Sequence, residues 1–351
     1  MNVVHVVGTG TIGEPLIGLL ADHKADFGID EVSFHKRTPL ITERGKVNDL
    51  VRRGAVLVVD EDKRSTFEEL GHAPKFETRE AIERAKVVID CTPVGNDNKL
   101  DLYEQARHPI GFMAQGSEHG FGKMYARGIN DSALVHGQDR FLQIVSCNTH
   151  NIAVLVKTLA MDDDGTNHLV DGRFVCIRRS NDISQDSGFA PSPTVEKHKD
   201  ERFGTHHAAD AHELFESLGY DLNLYSSALK LNSQYMHAIH FALTLDQEIT
   251  IDEVRERLAA NKRVAITYRK SANSVFSFGR DHGYFGRILS QTVVAIETLA
   301  VRNGNTLVGF CFTPQDGNPL LSSLAATLWY LNPDEVDQRL DIMRPYLFHE
   351  V

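Results

Sequence analysis

The sequence has few cysteines, a deficit of positive charge and no long hydrophobic run. Its 351 residues include 4 cysteines, and 37 lysines and arginines stand against 48 aspartates and glutamates, for a formal net charge of -11. This balance excludes the basic face that nucleic acid or an anionic membrane would require. The missing apolar run excludes a transmembrane helix, and the first residues lack a signal-peptide pattern. We therefore expect a cytoplasmic protein.

The cysteines are also too widely spaced for a metal site or a dense disulfide framework. They are Cys91, Cys147, Cys176 and Cys311. Their intervals match no zinc or disulfide pattern, so we expect reduced thiols and no bound metal. With 42% hydrophobic and 24% charged residues, the chain is long enough for two globular domains.

The first part of the sequence alternates short apolar runs with segments of helical periodicity. The apolar runs are residues 3–7, 31–35, 55–59, 86–90, 111–114 and 140–145. Such alternation is typical of parallel strands joined by crossover helices. From about His168 the runs lengthen and fewer helical segments separate them. The predicted fold class is α/β, with a parallel domain and a second α+β domain that has a mixed or antiparallel sheet.

A glycine-rich turn follows the first apolar run. In this turn Gly8 permits a tight bend, Gly10 lets the backbone approach a pyrophosphate, and Gly13 brings the following helix close to the strand. The position between a strand and a helix favours a dinucleotide-binding Rossmann domain over an incidental turn.

The second apolar run ends in two cations where an NAD site usually has an acidic residue. These cations are Lys36 and Arg37, and they suit the extra phosphate of NADP. We expect NADP as the preferred cofactor and NAD as the alternative. A solvated basic loop is the competing interpretation.

Cys147 lies where a short strand pattern gives way to a helical one. Unpaired amides and the helix dipole at such a position lower a thiol pKa from about 8.5 towards neutrality, which makes a nucleophile. A buried structural cysteine is the alternative, because free cysteines are commonly buried.

Histidine and arginine pairs are candidate partners of that thiol. Strand alternation puts His237 and His240 on opposite faces, so only one of them can reach a common site as a base, and either can equally be a core histidine. The pairs Arg178-Arg179 and His206-His207 suit a phosphate. The arginine pair could equally be a surface pair, and the histidine pair could be part of a loop or of an incomplete metal site.

These motifs together resemble the type II, archaeal-type glyceraldehyde-3-phosphate dehydrogenases in order and interval. The resemblance is carried by the glycine turn, both residue pairs, and residues 90–93 (DCTP), 115–118 (QGSE), 146–149 (SCNT) and 236–240 (MHAIH). It implies a homotetramer that converts glyceraldehyde 3-phosphate, phosphate and NAD(P) to 1,3-bisphosphoglycerate and NAD(P)H, in glycolysis or gluconeogenesis. It also implies a Rossmann domain of residues 1–146 and 313–351 and a catalytic domain of residues 147–312.

The resemblance also implies roles for single residues. Cys147 would be the nucleophile that forms a thioester, and His237 would be the base. Further contacts to the dinucleotide would come from Thr11, Ile12, Ser117, Arg179 and Gln315. The substrate site would be lined by Ser146, Asn148, His207 and Ala208, with Thr149 and Arg178 nearby for phosphate.

The chain departs from the family pattern beside the nucleophile. His150 and Asn151 follow SCNT where the family has threonine and glycine, Ser117 and Ala208 replace glycines, and residues 196–202 are unusually charged. Two other functions are therefore open. One is another cysteine-dependent aldehyde dehydrogenase, such as a semialdehyde dehydrogenase, in which the arginine pair would bind a carboxylate. The other is a catalytically silent NADP-binding sensor.

Overall fold

The computed structural model describes the whole chain except Ser117, Ser184, Asp186 and Gln315. It is an α/β protein with one parallel and one mixed sheet, so the predicted fold class is confirmed. Contacts between residues group the chain into two compact units. The first unit comprises Met1–Tyr125, Leu134–Ile144 and Leu320–Ile342, and the second comprises Ala126–Ala133, Val145–Pro319 and Met343–Val351.

The sheet of the first unit is parallel throughout. Its strands are β1 Val3–Val7, β2 Glu31–His35, β3 Val56–Val59, β4 Phe76–Glu77, β5 Val87–Asp90, β6 Gly111–Gln115, β7 Lys123–Tyr125 and β8 Phe141–Ile144. They lie in the order β4-β3-β2-β1-β5-β6-β8-β7. The order changes direction between β1 and β5. Open parallel sheets bind ligands outside the carboxyl ends of their strands at such a point, which is where the glycine turn begins.

Helices follow most of these strands. They are α1 Gly13–Asp22, α2 Arg44–Arg52, α3 Arg64–Glu69, α4 Thr78–Arg84 and α5 Gly95–Asn98, and a π-helical turn covers Lys99–Tyr103. Every residue of β1 and β5 is buried, as expected for strands inside a parallel sheet. Tyr103, Phe112 and Phe141 form a stack of rings whose successive centroids are 5.0 Å apart.

The sheet of the second unit is mixed, as predicted. Its strands are β9 Leu169–Arg178, β10 Thr194–Val195, β11 Leu224–Lys230, β12 Ala238–Leu245, β13 Val264–Thr267, β14 Thr292–Arg302 and β15 Thr306–Phe312. Their order is β10-β11-β9-β12-β15-β14-β13. β11 pairs with β9 and β13 with β14 in parallel, and the other pairs are antiparallel. Buried and half-buried residues alternate along β12, so one of its faces is in the core.

The second unit has more helix between its strands than the sequence predicted. Its helices are α6 Cys147–Ala160, α7 His206–Glu216, α8 Ile251–Ala260 and α9 Ala272–His282. Two further helices follow along the chain, α10 Gly317–Leu331 and α11 Val336–Leu340, and α11 and most of α10 belong to the first unit. α8 opens with a capping box between Thr250 and Glu253, a signal that the sequence contains. In the described part of the chain, no helix combines the length and apolar character needed to cross a bilayer.

The end of the chain belongs to the second unit, although the sequence analysis placed all of 313–351 in the first domain. The cause is backbone pairing beside β13. The amide of Val351 donates to the carbonyl of Ile266 at 2.9 Å, and the Ile266 amide donates to the carbonyl of His349 at 2.9 Å. Residues 126–133 also belong to the second unit, where the Lys157 ammonium donates to the Ile129 carbonyl at 2.9 Å.

Candidate active site

The glycine turn in the first unit leaves room for a ligand at the start of α1. Gly8 has a φ of +94°, a conformation that side chains disfavour. A Cβ on Gly13 would lie 2.1 Å from the Gly8 carbonyl oxygen, whereas a Cβ on Gly10 would meet nothing within 4 Å. Thr11 and Ile12 are half-buried between these glycines and α1. The turn therefore packs tightly at its two ends and is open in the middle, as a pyrophosphate site requires.

Asp90, at the end of β5, organises the loop that packs against this turn. One of its carboxylate oxygens accepts hydrogen bonds from the Thr92 amide at 2.8 Å and hydroxyl at 2.6 Å. The other accepts from Asn98 at 2.7 Å and from the Tyr103 hydroxyl at 2.6 Å. The DCTP motif thus fixes the loop, and its Thr92 methyl group lies close to Gly8.

Of the two cations predicted to bind the extra phosphate of NADP, Lys36 lies beside a carboxylate. Lys36 forms an ion pair with Glu43, and Lys46 donates to the same carboxylate at 2.8 Å. We call Lys36, Lys46 and Glu43 the cation cluster. Burial acts to raise the pKa of Glu43, but the hydrogen bonds from both lysines outweigh this effect and lower it. Lys46 also donates to the Thr9 carbonyl at 3.2 Å, so the cluster adjoins the glycine turn, whereas Arg37 is exposed.

In the second unit, Cys147 is the first residue of α6, where the sequence predicted a helix start. Ser146 is the N-cap, and its hydroxyl accepts a hydrogen bond from the Thr149 amide at 3.3 Å. The ring of His207 lies 3.5 Å from both the Ser146 hydroxyl and the Asn148 side-chain nitrogen. Four of the residues predicted for the substrate site are therefore brought together around Cys147.

His150 and Asn151, the departures from the pattern of the resembling family, support the backbone around Cys147. Both side chains are fully buried. The His150 ring donates from Nδ1 to the Ser146 carbonyl at 3.0 Å, and the Asn151 amide donates to the Cys147 carbonyl at 2.8 Å. Asn318 donates to the same Cys147 carbonyl at 3.0 Å. These side chains hold the first turn of α6 in place.

The thiol of Cys147 is protonated at neutral pH. Burial raises its pKa to about 12, and Asp316 adds to this rise, while Arg179, Arg178 and the Asn148 amide act in the opposite direction. The prediction of a thiol pKa near neutrality is therefore wrong. The cost of removing the thiolate from water is larger than the stabilisation that the helix N-terminus gives it, even though Cys147 keeps part of its surface exposed.

His237 lies one residue before β12 and is held by the backbone of Arg179. The Arg179 amide donates to Nδ1 of His237 at 3.0 Å. A neutral imidazole that accepts at Nδ1 carries its proton on Nε2, so the remaining nitrogen is a hydrogen-bond donor. Burial, followed by the charges of Arg179 and Arg178, keeps the pKa of His237 well below its usual value. The Arg179 guanidinium lies 3.1 Å from Asp182 and 3.3 Å from Asp316.

Arg178, predicted to bind phosphate, forms an ion pair with Glu196. The rings of His206 and His207 are 3.9 Å apart, and burial keeps the pKa of His207 well below its usual value. Ala208 is fully buried, and its amide donates to the Ser226 hydroxyl at 3.1 Å. This amide is therefore already bonded at the start of α7.

Sequence reasoning missed several residues of the site and named two that cannot be placed. Ser117 and Gln315 lie outside the described residues. No local pattern in the sequence points to Asn318, Thr313, Asp182 or Asp316, and Glu196 stands out only as the first residue of the charged stretch 196–202. Thr313 donates to the Asn148 side-chain oxygen at 3.2 Å and accepts from Asn151 at 3.1 Å. Among the described side chains, no group of three or more histidine, cysteine or acidic residues is placed to hold a metal.

The fold and the two sites define an α/β protein that has a dinucleotide-type glycine turn in one unit and a helix-start cysteine with arginine and histidine partners in the other. No protein-family model matches the chain. It is similar to proteins named glyceraldehyde-3-phosphate dehydrogenase. The protein from Methanobacterium formicicum is 27% identical over 278 residues, which cover 77% of this chain and 75% of the relative. The protein from Metallosphaera sedula is 24% identical over 323 residues, which cover 88% of this chain and 86% of the relative.

A further relative, from Methanobacterium bryantii, has the same name and is 27% identical over 274 residues. These residues cover 76% of this chain and 74% of the relative. The similarity supports an oxidoreductase of the glyceraldehyde-3-phosphate dehydrogenase type at modest identity. The type II designation is a prediction from the motifs.

Proposed function

We propose that the chain oxidises glyceraldehyde 3-phosphate with NAD(P) through a thioester on Cys147 and transfers the acyl group to inorganic phosphate. The product would be 1,3-bisphosphoglycerate. The observation that carries the proposal is the placement of Cys147 at the start of α6, beside the Asn148 amide and within the influence of Arg178 and Arg179. The relatives' name supports the same aldehyde as substrate and a nicotinamide dinucleotide as cofactor.

The residues of the glycine turn fit a dinucleotide. The nicotinamide group, when bound, accepts a hydride from the substrate carbon. The open space beside Gly10 suits the pyrophosphate, and the adjoining cation cluster suits the extra phosphate of NADP. We propose NADP as the preferred cofactor, with NAD as the alternative.

Cys147 must lose its proton to solvent before it attacks, because the thiol is neutral at rest. Attack of the thiolate on the aldehyde carbon forms the C–S bond and leaves an oxyanion on the former carbonyl oxygen. Hydride departure from that carbon then gives the thioester without a further proton transfer. Two donors suit the oxyanion, namely the Asn148 amide and the Nε2–H of His237.

His237 acts in this proposal as a donor, although the family resemblance implies a base. A base would have to hold a second proton, and the buried ring beside two arginines disfavours a cation. The Arg179 amide occupies Nδ1, so no ring nitrogen is available to accept the proton. His237 would thus stabilise charge on the substrate oxygen.

Phosphate would complete the reaction by attacking the thioester carbonyl, which breaks the C–S bond and regenerates the Cys147 thiolate. Arg178 would bind the phosphate group of the substrate. The side chains of Ser146, Thr149 and His207 meet at the start of α6, where they would line the substrate site. A semialdehyde dehydrogenase is the second candidate, since Arg178 is already bonded to a carboxylate, that of Glu196.

The deciding experiment measures reduction of NADP and NAD by purified protein with glyceraldehyde 3-phosphate, in the presence and absence of inorganic phosphate. We expect phosphate-dependent turnover that Cys147→Ser abolishes while dinucleotide binding persists. Cys176→Ser is the matched control, because this thiol is buried in β9 and is not among the residues proposed to contact the substrate. Turnover of a carboxylate-bearing semialdehyde alone would favour the second candidate. Dinucleotide binding without any aldehyde oxidation would indicate a sensor.

A homotetramer is a further part of the proposal. Sedimentation of the purified chain measures its mass directly, and a monomer would contradict this part.

A further inference from the structure

The charge of Arg178 is compensated by a residue from the edge of the sheet. Glu196 follows β10, the two-residue edge strand, and its amide donates to the Ala228 carbonyl of β11 at 2.9 Å. Its side chain forms the ion pair with Arg178 at the end of β9. The pair is about one-third exposed, with relative side-chain exposures of 32% for Arg178 and 30% for Glu196. Solvent and a dissolved anion can therefore reach it.

The groups around this pair are suited to an anion as well. Partial desolvation and the charges of Arg178 and Lys199 lower the pKa of His206, whereas Glu196 raises it. His206 therefore lies within electrostatic reach of all three charged residues. It is exposed, and its neighbour His207 contacts the Ser146 hydroxyl of the α6 start.

We propose that Glu196 is a tethered competitor for Arg178, which the anionic group of a substrate must displace before Arg178 can bind that group. The inference rests on the proposed function, which puts Arg178 at the substrate site. Glu196 contacts Nη1 of Arg178, so an anion that uses this nitrogen in a paired contact with the guanidinium must displace the carboxylate. The Glu196 carboxylate leaves the Arg178 guanidinium when the phosphate of the aldehyde binds, and it returns when the acyl phosphate departs.

The tether explains why such a competitor is effective. A group attached by a short chain segment has an effective concentration of about millimolar or higher at its partner. The pair is partly exposed, so each partner is held only weakly. Glu196 therefore lowers the affinity of Arg178 for any dissolved anion, and it shortens the time that a bound product phosphate remains.

The binding test uses inorganic phosphate and the full chain in a calorimetric titration. We expect Glu196→Gln to bind phosphate up to about fivefold more tightly than the unmodified protein, because an exposed pair contributes at most roughly 1 kcal/mol. Glu196→Asp, which keeps the charge and shortens the side chain, should lie between them. Glu201→Gln makes the same charge change in an exposed residue of the same segment and should leave the affinity within about twofold.

A double-mutant cycle tests whether Glu196 acts through Arg178. Arg178→Ala should weaken phosphate binding, and adding Glu196→Gln to it should change nothing further. In turnover assays, Glu196→Gln should lower KM for glyceraldehyde 3-phosphate and leave KM for unphosphorylated glyceraldehyde unchanged. A purely structural role would affect both aldehydes alike.

Two results separate this inference from the proposed function. Unchanged or weaker phosphate binding by Glu196→Gln, in a protein that oxidises the aldehyde, would overturn the competitor and leave the proposed function intact. Tighter phosphate binding that requires Arg178, in a protein that oxidises no aldehyde, would keep the competitor and refute the proposed function. An equal gain in the Arg178→Ala background would also overturn the competitor.

Discussion

The cation cluster of the first unit and the surroundings of Cys147 in the second control charge in opposite ways. In the cation cluster the charges are present and paired, since Lys36 and Lys46 share the carboxylate of Glu43. Around Cys147 the thiol and the His237 ring are kept neutral, because burial raises the pKa of the thiol and lowers that of the imidazole. Paired charges respond to salt and to competing anions, whereas buried neutral groups respond to hydrogen bonds and to pH.

The largest effect that distinguishes the two regions is expected at His237. His237→Ala should lower kcat by about 10²- to 10³-fold, the usual loss when one oxyanion donor is removed. His237→Gln keeps an N–H near the position of Nε2 and should retain activity within about tenfold of the unmodified protein. The measurement is steady-state turnover, with KM for the dinucleotide as a second readout.

His240→Gln is the matched control for this comparison. His240 lies on β12, and its ring packs edge-on against that of Phe310 on β15, with the ring centroids 4.9 Å apart. A general-base role for His237 would appear as equal inactivity of the alanine and glutamine variants, with an acidic limb in the pH profile of kcat.

The next effect is the slow alkylation of Cys147 by iodoacetamide. With the pKa raised to about 12, the thiolate fraction at pH 8 is small, so modification should be about a hundredfold or more slower than that of a free thiol with its pKa near 8.5. The rate should rise about tenfold per pH unit through pH 10. Mass spectrometry of the Cys147 peptide measures this, and a plateau between pH 7 and 8 would contradict it.

The same pKa has a consequence for stability. Because the thiol pKa is higher in the folded chain than in the unfolded one, deprotonation favours unfolding, and Cys147 reduces stability as pH rises from about 9 towards 12. Cys147→Ala should reduce this alkaline loss in urea titrations at pH 8 and pH 10.

A smaller effect is expected from the neutral hydrogen bonds under Cys147. Asn151→Ala removes the donor to the Cys147 carbonyl and to the Thr313 hydroxyl. The Cys147 carbonyl keeps its hydrogen bond from Asn318, so the cost comes mainly from the Thr313 hydroxyl and is about 1.5 kcal/mol, or roughly a tenfold shift in the folding equilibrium. Urea unfolding measures it, and Asn232→Ala, at an exposed position, is the control. A cost below about 0.5 kcal/mol would show that the site tolerates the loss.

The smallest effect concerns the cation cluster. Glu43→Gln removes the shared carboxylate, so NADP should bind about fivefold more tightly while NAD binding changes little. The gain should fade at high salt, because the cluster is partly exposed. Fluorescence titration with both dinucleotides at two salt concentrations checks this, with the exposed Glu61→Gln as control. Equal gains for NAD and NADP would show that the cluster does not bind the extra phosphate.

Local patterns predicted the elements of the fold and the position of Cys147. The glycine turn, the parallel strands and the start of α6 depend on residues that are neighbours in sequence. The helices of the second unit were underestimated, because α7 buries His207, Asp210 and His212, so its core-facing side does not look apolar.

The partners of the site could not be predicted, because they join segments far apart in the chain. Glu43 and Glu196 compensate cations that look unpaired in the sequence. The thiol pKa depends on how much protein surrounds the sulfur, and no local pattern contains that information. The tautomer of His237 likewise follows from the backbone of Arg179, which lies on another strand segment.

The hydrogen bond between Asn318 and the Cys147 carbonyl has a consequence for the order of folding. Its two residues are 171 positions apart, so the bond closes only after most of the chain has been synthesised. Contacts of such long range form late, because loop closure must precede them. A nascent chain that ends before Asn318 can form α6 but cannot fully fix its first residue. The surroundings of Cys147 are therefore completed only near the end of synthesis.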